Sequence, residues 1–309
     1  MHAPQPPLVL VGGESLVDLI VDAAGAIEAR VGGAPANVAR GVARLGGRSA
    51  FLGAVSGDRF GRELRAALAE DGVEDGGLVA TDAPTTLALA ELDAAGAASY
   101  RFYLAGTAAP ALEVERALAA ADLDPAAVYV GGLALGLEPI GPALEALVGA
   151  VGDDVLVMVD PNARPGALPD PAAHPARFDR LLGRTDVVKV SVEDLAELVP
   201  GVAAEAAATG LLERGPGCVL VTDGPRPTVV LTARGRRSIP VPEVVVRDTV
   251  GAGDAFSAGM LAWWTTRGLG RAELADLDRL EAAATWATRV AAKTCERAGA
   301  QPPRLAELG

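Results

Sequence analysis

The chain has 309 residues, half of them apolar and 22% charged, with a formal net charge of −13. That length supports a sizeable core in one α/β domain. The acidic balance argues against nucleic acid or an anionic membrane as the general partner, but a local basic pocket would still admit a small anionic substrate.

Two cysteines, Cys218 and Cys295, give neither a disulfide framework nor a metal spacing. Of the two histidines, His2 lies at the chain end and His174 in a Pro/Ala/Asp-rich stretch, so a Ser-His-Asp, Cys-His or zinc mechanism has no well-placed imidazole. No apolar run reaches about 18 residues, and the first seven residues lack the basic and apolar regions of a signal peptide. The expectation is a cytoplasmic chain with no membrane segment.

Residues 8–11 read as a buried strand closed by Gly12-Gly13. Residues 14–20 follow as a strand-like run carrying Asp18, which is either a turn or edge residue or a carboxylate that accepts hydrogen bonds from substrate hydroxyls. A turn at 22–26 returns the chain through residues 27–31. Gly32-Gly33-Ala34-Pro35-Ala36-Asn37 opens a helix whose Val38, Val42 and Leu45 share one face, and Gly46-Gly47 stops it. Asn37, in the first turn, offers both a donor and an acceptor, which suits a polyol. A strand at 49–55 leads through Gly57-Asp58 into a helix burying Phe60, Leu64 and Leu68. Residues 85–92 and 99–103, joined by a turn at 93–96, alternate as a second hairpin. Arg101 and Tyr103 share one side of it and meet either a sugar or solvent.

From Val128 onward, continuous apolar strands alternate with helices: strands at 128–130, 155–159, 187–190 and 218–221, helices at 139–151, 178–182, 193–198 and 203–214. This pattern predicts a parallel sheet covered on both faces, with ligands at the carboxyl ends of its strands. Polar residues gather at those ends: Asp160-Pro161-Asn162-Ala163-Arg164, then Lys189 with Ser191 and Asp194, then Thr222 with Gly224. The stretch 165–175 reads as a surface loop. Trp263-Trp264 fits core or subunit packing better than base stacking. The last helices run over about 277–297. No linker or repeat divides the chain.

The most informative stretch is Asp248-Thr249-Val250-Gly251-Ala252-Gly253-Asp254-Ala255-Phe256. The β-branched run Val244-Val245-Val246 before it predicts a strand, and the apolar residues 256–264 after it a helix. Free N–H groups and the helix dipole make such a turn a cradle for a phosphate or oxyanion. Asp254 at its lip would repel a phosphate, but it makes sense as a base that takes a proton from an attacking hydroxyl. Its pKa is expected near 4 or below, as for a carboxylate at a helix N-terminus.

This turn and Gly32-Gly33-Ala34-Pro35-Ala36-Asn37-Val38-Ala39 together closely resemble the two signatures of the PfkB (ribokinase-like) carbohydrate kinases. Gly12-Gly13-Glu14-Ser15-Leu16-Val17-Asp18, Asp160-Pro161-Asn162-Ala163-Arg164-Pro165 and Lys189-Val190-Ser191-Val192-Glu193-Asp194 resemble further landmarks, most like the bacterial fructokinase branch. The resemblance spans nearly the whole chain. It implies one domain over 1–309: a three-layer α/β/α sandwich with a mainly parallel sheet and a small β lid from about 17–31 and 85–103.

The resemblance further implies ATP as donor with Mg²⁺, a monovalent cation such as K⁺ near the second signature, and a homodimer through the lid. Asp254 would be the base, and Gly251, Ala252 and Gly253 the anion hole. Asp18, Gly32, Gly33 and Asn37 would hold the sugar, with Arg101, Tyr103 and Arg164 as further contacts. Thr222 and Gly224 would line the nucleotide site, Ser191 would lie beside it, and Lys189 or Arg164 would neutralise the γ-phosphoryl group.

Three departures stand out. The family's Asn-x-x-Glu element, tied to the metal, reads Ser191-Val192-Glu193-Asp194 here, which leaves Asp194 to reach a metal through water. Pro227 replaces a glycine after Gly224. Leu104 follows Tyr103 where 2-keto-3-deoxygluconate kinases carry an arginine. The expected reaction is phosphoryl transfer from ATP to a primary hydroxyl, with fructose as the leading acceptor, then 2-keto-3-deoxygluconate or ribose. A nicotinamide dehydrogenase would need G-x-G-x-x-G after an early strand, and a P-loop kinase G-x-x-x-x-G-K-[ST]; neither pattern is present. A non-catalytic sugar sensor on the same fold would be expected to lose Asp254 or an anion-hole glycine, and all are kept.

Overall fold

The computed structural model describes residues 5–92 and 98–309. The predicted turn at 93–96 and His2 lie outside the described residues. The first half of the chain alternates between core and lid: β1 (Leu8–Gly12), β2 (Leu16–Val21), β3 (Ile27–Gly32), α1 (Ala34–Arg44), β4 (Arg48–Ser56), α2 (Arg59–Glu70), β5 (Leu78–Thr81), β6 (Leu87–Leu92) and β7 (Ala98–Tyr103). The second half supplies α3 (Val114–Ala119), β8 (Ala127–Gly131), α4 (Ile140–Ala150), β9 (Leu156–Asp160), α5 (Ala173–Leu181), β10 (Val187–Ser191), α6 (Val192–Leu198), α7 (Ala204–Leu212) and β11 (Cys218–Asp223). An edge hairpin, β12 (Arg226–Thr232) and β13 (Gly235–Ile239), precedes α8 (Ala252–Thr265) and α9 (Leu277–Cys295).

Nine strands form the main sheet, in the order β13-β12-β11-β10-β9-β8-β1-β4-β5. All neighbours from β11 to β5 run parallel, while the β11–β12 and β12–β13 pairings are antiparallel. Side-chain alternation divides each strand between two apolar layers. Leu10, Val128, Val157, Val188 and Val219 face a core shared with Leu144 of α4, Phe178 of α5 and Leu211 of α7. Val9, Ala127, Met158, Val187 and Leu220 face the other, with Val42 of α1, Phe256 of α8 and Ala284 of α9. Both layers are buried, which is why these strands read as continuous apolar runs. Trp264 belongs to the second core and donates its indole N–H to Gly270 O at 2.9 Å, while Trp263 lies under the Arg267 guanidinium.

The lid is a separate four-stranded sheet, β3-β2-β6-β7, with β2 and β6 parallel at its centre. Its two antiparallel pairs are the two predicted hairpins. Two local readings change. The stretch at 165–175 is not all loop, because α5 begins at Ala173 and His174 is 2% exposed within it. The expected strand at 244–246 does not form: Val245 and Val246 are 81% and 59% exposed. There the chain leaves the sheet, and the N–H groups of Arg247 and Asp248 donate to Cys295 O at the end of α9.

Candidate active site

The turn before α8 is built from backbone outward. The Asp248 carboxylate accepts N–H groups from Val250 (3.0 Å) and Gly299 (2.7 Å), fixing the turn to the chain after α9. Gly251 is the helix N-cap in left-handed conformation, φ 77°. The first intrahelical bond runs from Ala255 N to Gly251 O at 2.8 Å. The N–H groups of Gly253 and Asp254 therefore have no acceptor within the helix, and they stand at its positive end.

Asp254 projects from this first turn and is buried. Asn37, from the first turn of α1, donates Nδ2–H to Asp254 Oδ2 at 2.9 Å. The two helix N-termini, 217 positions apart in sequence, thus share one buried hydrogen bond. Asn37 Oδ1 is buried with no protein partner and can accept from a bound hydroxyl. Burial pushes the Asp254 carboxyl up to about 6; the Asn37 bond and the cations of Lys189 and Arg164 oppose the rise, and Asp160 adds to it. This reverses the expectation of a value near 4 or below, because desolvation outweighs the helix terminus. A carboxyl titrating near 6 is a better base than an ordinary aspartate.

Gly33 explains why α1 starts where it does. Its φ is 101°, and a Cβ there would stand 2.6 Å from Glu14 O. Glu14 itself is buried, and its carboxylate accepts the N–H groups of Leu133 (3.2 Å) and Ala134 (3.0 Å). Burial pushes it up to about 7, against those backbone donors, and the nearby Asp254 charge adds to the rise. Glu14 thereby ties the end of β1 to the loop after β8, a role that sequence alone did not signal.

The lid presents Asp18, which burial pushes up to about 6 while Arg30 opposes the shift. A Cβ at Gly32 would meet Asp18 Oδ2 at 2.3 Å, so glycine leaves room for the carboxylate. The strand register places Arg30, Asp18, Ala88 and Phe102 in one row across the lid. Arg30 comes within 3.9 Å of Asp248, so this face looks onto the α8 turn. Arg101 and Tyr103 pair with Leu89 and Leu87 and so occupy the opposite face. Leu87 and Leu19 on that face join the apolar cluster of Leu64 and Leu68 in α2. Phe102 is the β7 residue on the side of Asp18.

At the sheet edge, β9, β10 and β11 are neighbours, so the ends carrying Asp160, Ser191 and Thr222 lie side by side. Thr222 and Gly224 sit at the turn into β12, with Gly224 in positive φ and Thr222 Oγ1 donating to Val190 O at 3.4 Å. Arg164 extends from the loop after β9 and is 55% exposed, its guanidinium 3.6 Å from Asp194 Oδ1. His174 Nε2 bonds Pro161 O at 2.8 Å and fastens that loop.

One assignment changes here. Lys189 does not reach solvent: its ammonium is paired with Asp160 at 3.1 Å beneath the turn, so Arg164 is the cation open to a phosphate. Asp194 is 3% exposed and spends Oδ2 on a capping box with Ser191 and Oδ1 on Ala163 N at 2.8 Å. That carboxylate clasps the start of α6 to the loop after β9. Among the described residues no group of three His, Cys, Asp or Glu side chains could hold a metal.

The pfkB family carbohydrate kinases match this sequence over residues 8–307. The chain is a member of that family. The kinase is 38% identical over 278 residues to a fructokinase of Klebsiella pneumoniae, covering 84% of this chain and 85% of the relative. It superposes on a fructokinase with bound ATP from Xylella fastidiosa with a TM-score of 0.88, at 30% identity and 97% coverage of each chain. A fructokinase of Vibrio cholerae O395, solved with fructose, ADP and calcium ion, gives a TM-score of 0.86 at 28% identity, covering 98% of this kinase and 97% of that chain. The kinase thus belongs to the phosphotransferases that act on a sugar hydroxyl.

Proposed function

We propose that this kinase transfers the γ-phosphoryl group of ATP to a primary hydroxyl of fructose. The observation that carries the reading is the buried Asn37–Asp254 pair at the positive end of α8. Asn37 holds one carboxylate oxygen of Asp254, leaving the other to accept the proton of the attacking hydroxyl. Asp18 on the lid faces the same space and can accept further sugar hydroxyls. Phe102 lies in the same lid row and adds apolar surface beside Asp18. ATP phosphates fit the Gly251-Ala252-Gly253 turn, where the Gly253 and Asp254 N–H groups have no acceptor within the helix while Ala252 N–H is donated to Thr249 O, with Arg164 beside it. Bound there, the nucleotide supplies the phosphoryl group. The protein's own part is to orient the hydroxyl, receive its proton and meet developing charge with fixed dipoles. The lid excludes water as a competing acceptor.

Mg²⁺ with the nucleotide, a monovalent cation such as K⁺ near the α8 turn, and a homodimer through the lid belong to the same proposal. Ile27 and Tyr103, 67% and 48% exposed on the lid, are apolar surface such a dimer would cover. The test is ADP release across fructose, 2-keto-3-deoxygluconate, ribose and adenosine. The expected result is the highest kcat/KM with fructose. A preference for another acceptor would overturn the choice of sugar, and sugar binding without ADP release would favour a sensor.

A further inference from the structure

Beneath the first turn of α8 lies an ion pair that the reaction described above does not use. Lys189 on β10 and Asp160 at the end of β9 are 4% and 0% exposed, with Lys189 Nζ 3.1 Å from Asp160 Oδ2. Ser257, in the second turn of α8, donates its hydroxyl to the same oxygen at 3.2 Å, and Asn162 N donates to Oδ1 at 3.2 Å. One cluster therefore ties two strand ends to the helix that carries Asp254. Burial works against the Lys189 ammonium, but the carboxylates of Asp160 and Asp194 outweigh it and hold its pKa above the ordinary lysine value.

The ammonium abuts the turn itself. A Cβ built on Gly253 would lie 2.9 Å from Lys189 Nζ. Glycine at 253 thus does more than shape the anion hole from outside; it lets a buried charge come up against the hole from inside. A pair this thoroughly desolvated is a poor device for stability, since apolar residues of similar volume do as well or better. A fixed positive charge in a water-excluded site is, by contrast, effective where negative charge develops during a reaction.

We propose that Lys189 is a positioning residue for phosphoryl transfer. Its ammonium, held by Asp160 against Gly253, adds permanent positive potential to the N–H-lined turn without touching the phosphate. The proposal rests on the kinase reading. Wild-type turnover, measured first, tests that reading separately.

The decisive variant is Lys189→Met/Asp160→Asn, which removes both charges of the pair together, while Asp194 keeps its bonds to Ser191 and Ala163 N. The expected result is a folded protein whose calorimetric affinity for sugar and ATP stays within about threefold while kcat falls on the order of 10- to 100-fold, less than the loss of a direct hydrogen-bond donor. Wild-type kcat in the folded double variant would overturn the proposal. So would a parallel loss of sugar affinity, which would mean that the turn had merely moved. If the double variant does not fold, Gly253→Ala serves instead: its methyl displaces the ammonium, and the same split between kcat and affinity is expected.

Discussion

Replacing Asn37 by alanine removes the single side-chain hydrogen bond that holds Asp254 in its charged form. That bond is 2.9 Å long, buried, and donated to a carboxylate. A hydrogen bond to a charged group contributes about 1.5–3 kcal/mol, and each pH unit corresponds to about 1.4 kcal/mol. The Asp254 pKa should therefore rise by about 1–2 units from its value of about 6. At pH 7 the ionised fraction would fall from about 90% to roughly 10–50%. The assay is kcat/KM between pH 5 and 9, because that ratio reports the free enzyme. Asn37 also faces the sugar, so the plateau should drop as well; the position of the acid limb is the diagnostic quantity. Asn37→Ala should move that limb toward pH 7–8. A uniformly lower profile with the limb within about 0.3 unit of wild type would refute the idea that Asn37 sets the basicity of Asp254.

Two further predictions concern stability. Gly33→Ala places a Cβ 2.6 Å from Glu14 O at a φ of 101°; strained backbone alone costs about 1–3 kcal/mol, and urea unfolding should show at least that loss together with a raised KM for sugar. Wild-type values for both would contradict this. Glu14 has a folded-state pKa of about 7, above its ordinary 4.5. Its stabilising contribution is full below pH 4.5 and declines as pH rises toward 7, an effect of about 3 kcal/mol. Between pH 5 and 8 the wild type should accordingly lose more stability than Glu14→Gln, as read from urea midpoints. Equal pH dependence in the two proteins would show that Glu14 does not carry the effect.

The chain's order and chemistry were readable where local pattern decides the outcome. Continuous apolar strands announced a sheet covered on both faces, and the glycine turn announced an anion-accepting helix start. Three features depended on tertiary facts that no local pattern contains. The register of β6 and β7 decides which lid residues share the face of Asp18, and it puts Phe102 there with Arg101 and Tyr103 on the other face. Burial rather than the helix terminus sets the Asp254 pKa, and burial arises only when α1 and α8 converge. Lys189 looked like a phosphate ligand at a strand end; its register beside Leu220 turns its side chain to the α8 side of the sheet, where it pairs with Asp160. The β12–β13 hairpin, with half its residues exposed at the sheet edge, carried too little apolar patterning to be read.

The most direct test of the account is turnover by Asp254→Asn, measured as fructose-dependent ADP release alongside calorimetric binding of sugar and ATP. The amide keeps the shape and can still meet Asn37, but it cannot take a proton. Binding should remain near wild type while kcat falls on the order of 10²- to 10⁴-fold, the usual contribution of a general base. Turnover close to wild type in a folded Asp254→Asn protein would contradict the assignment of Asp254 as the base.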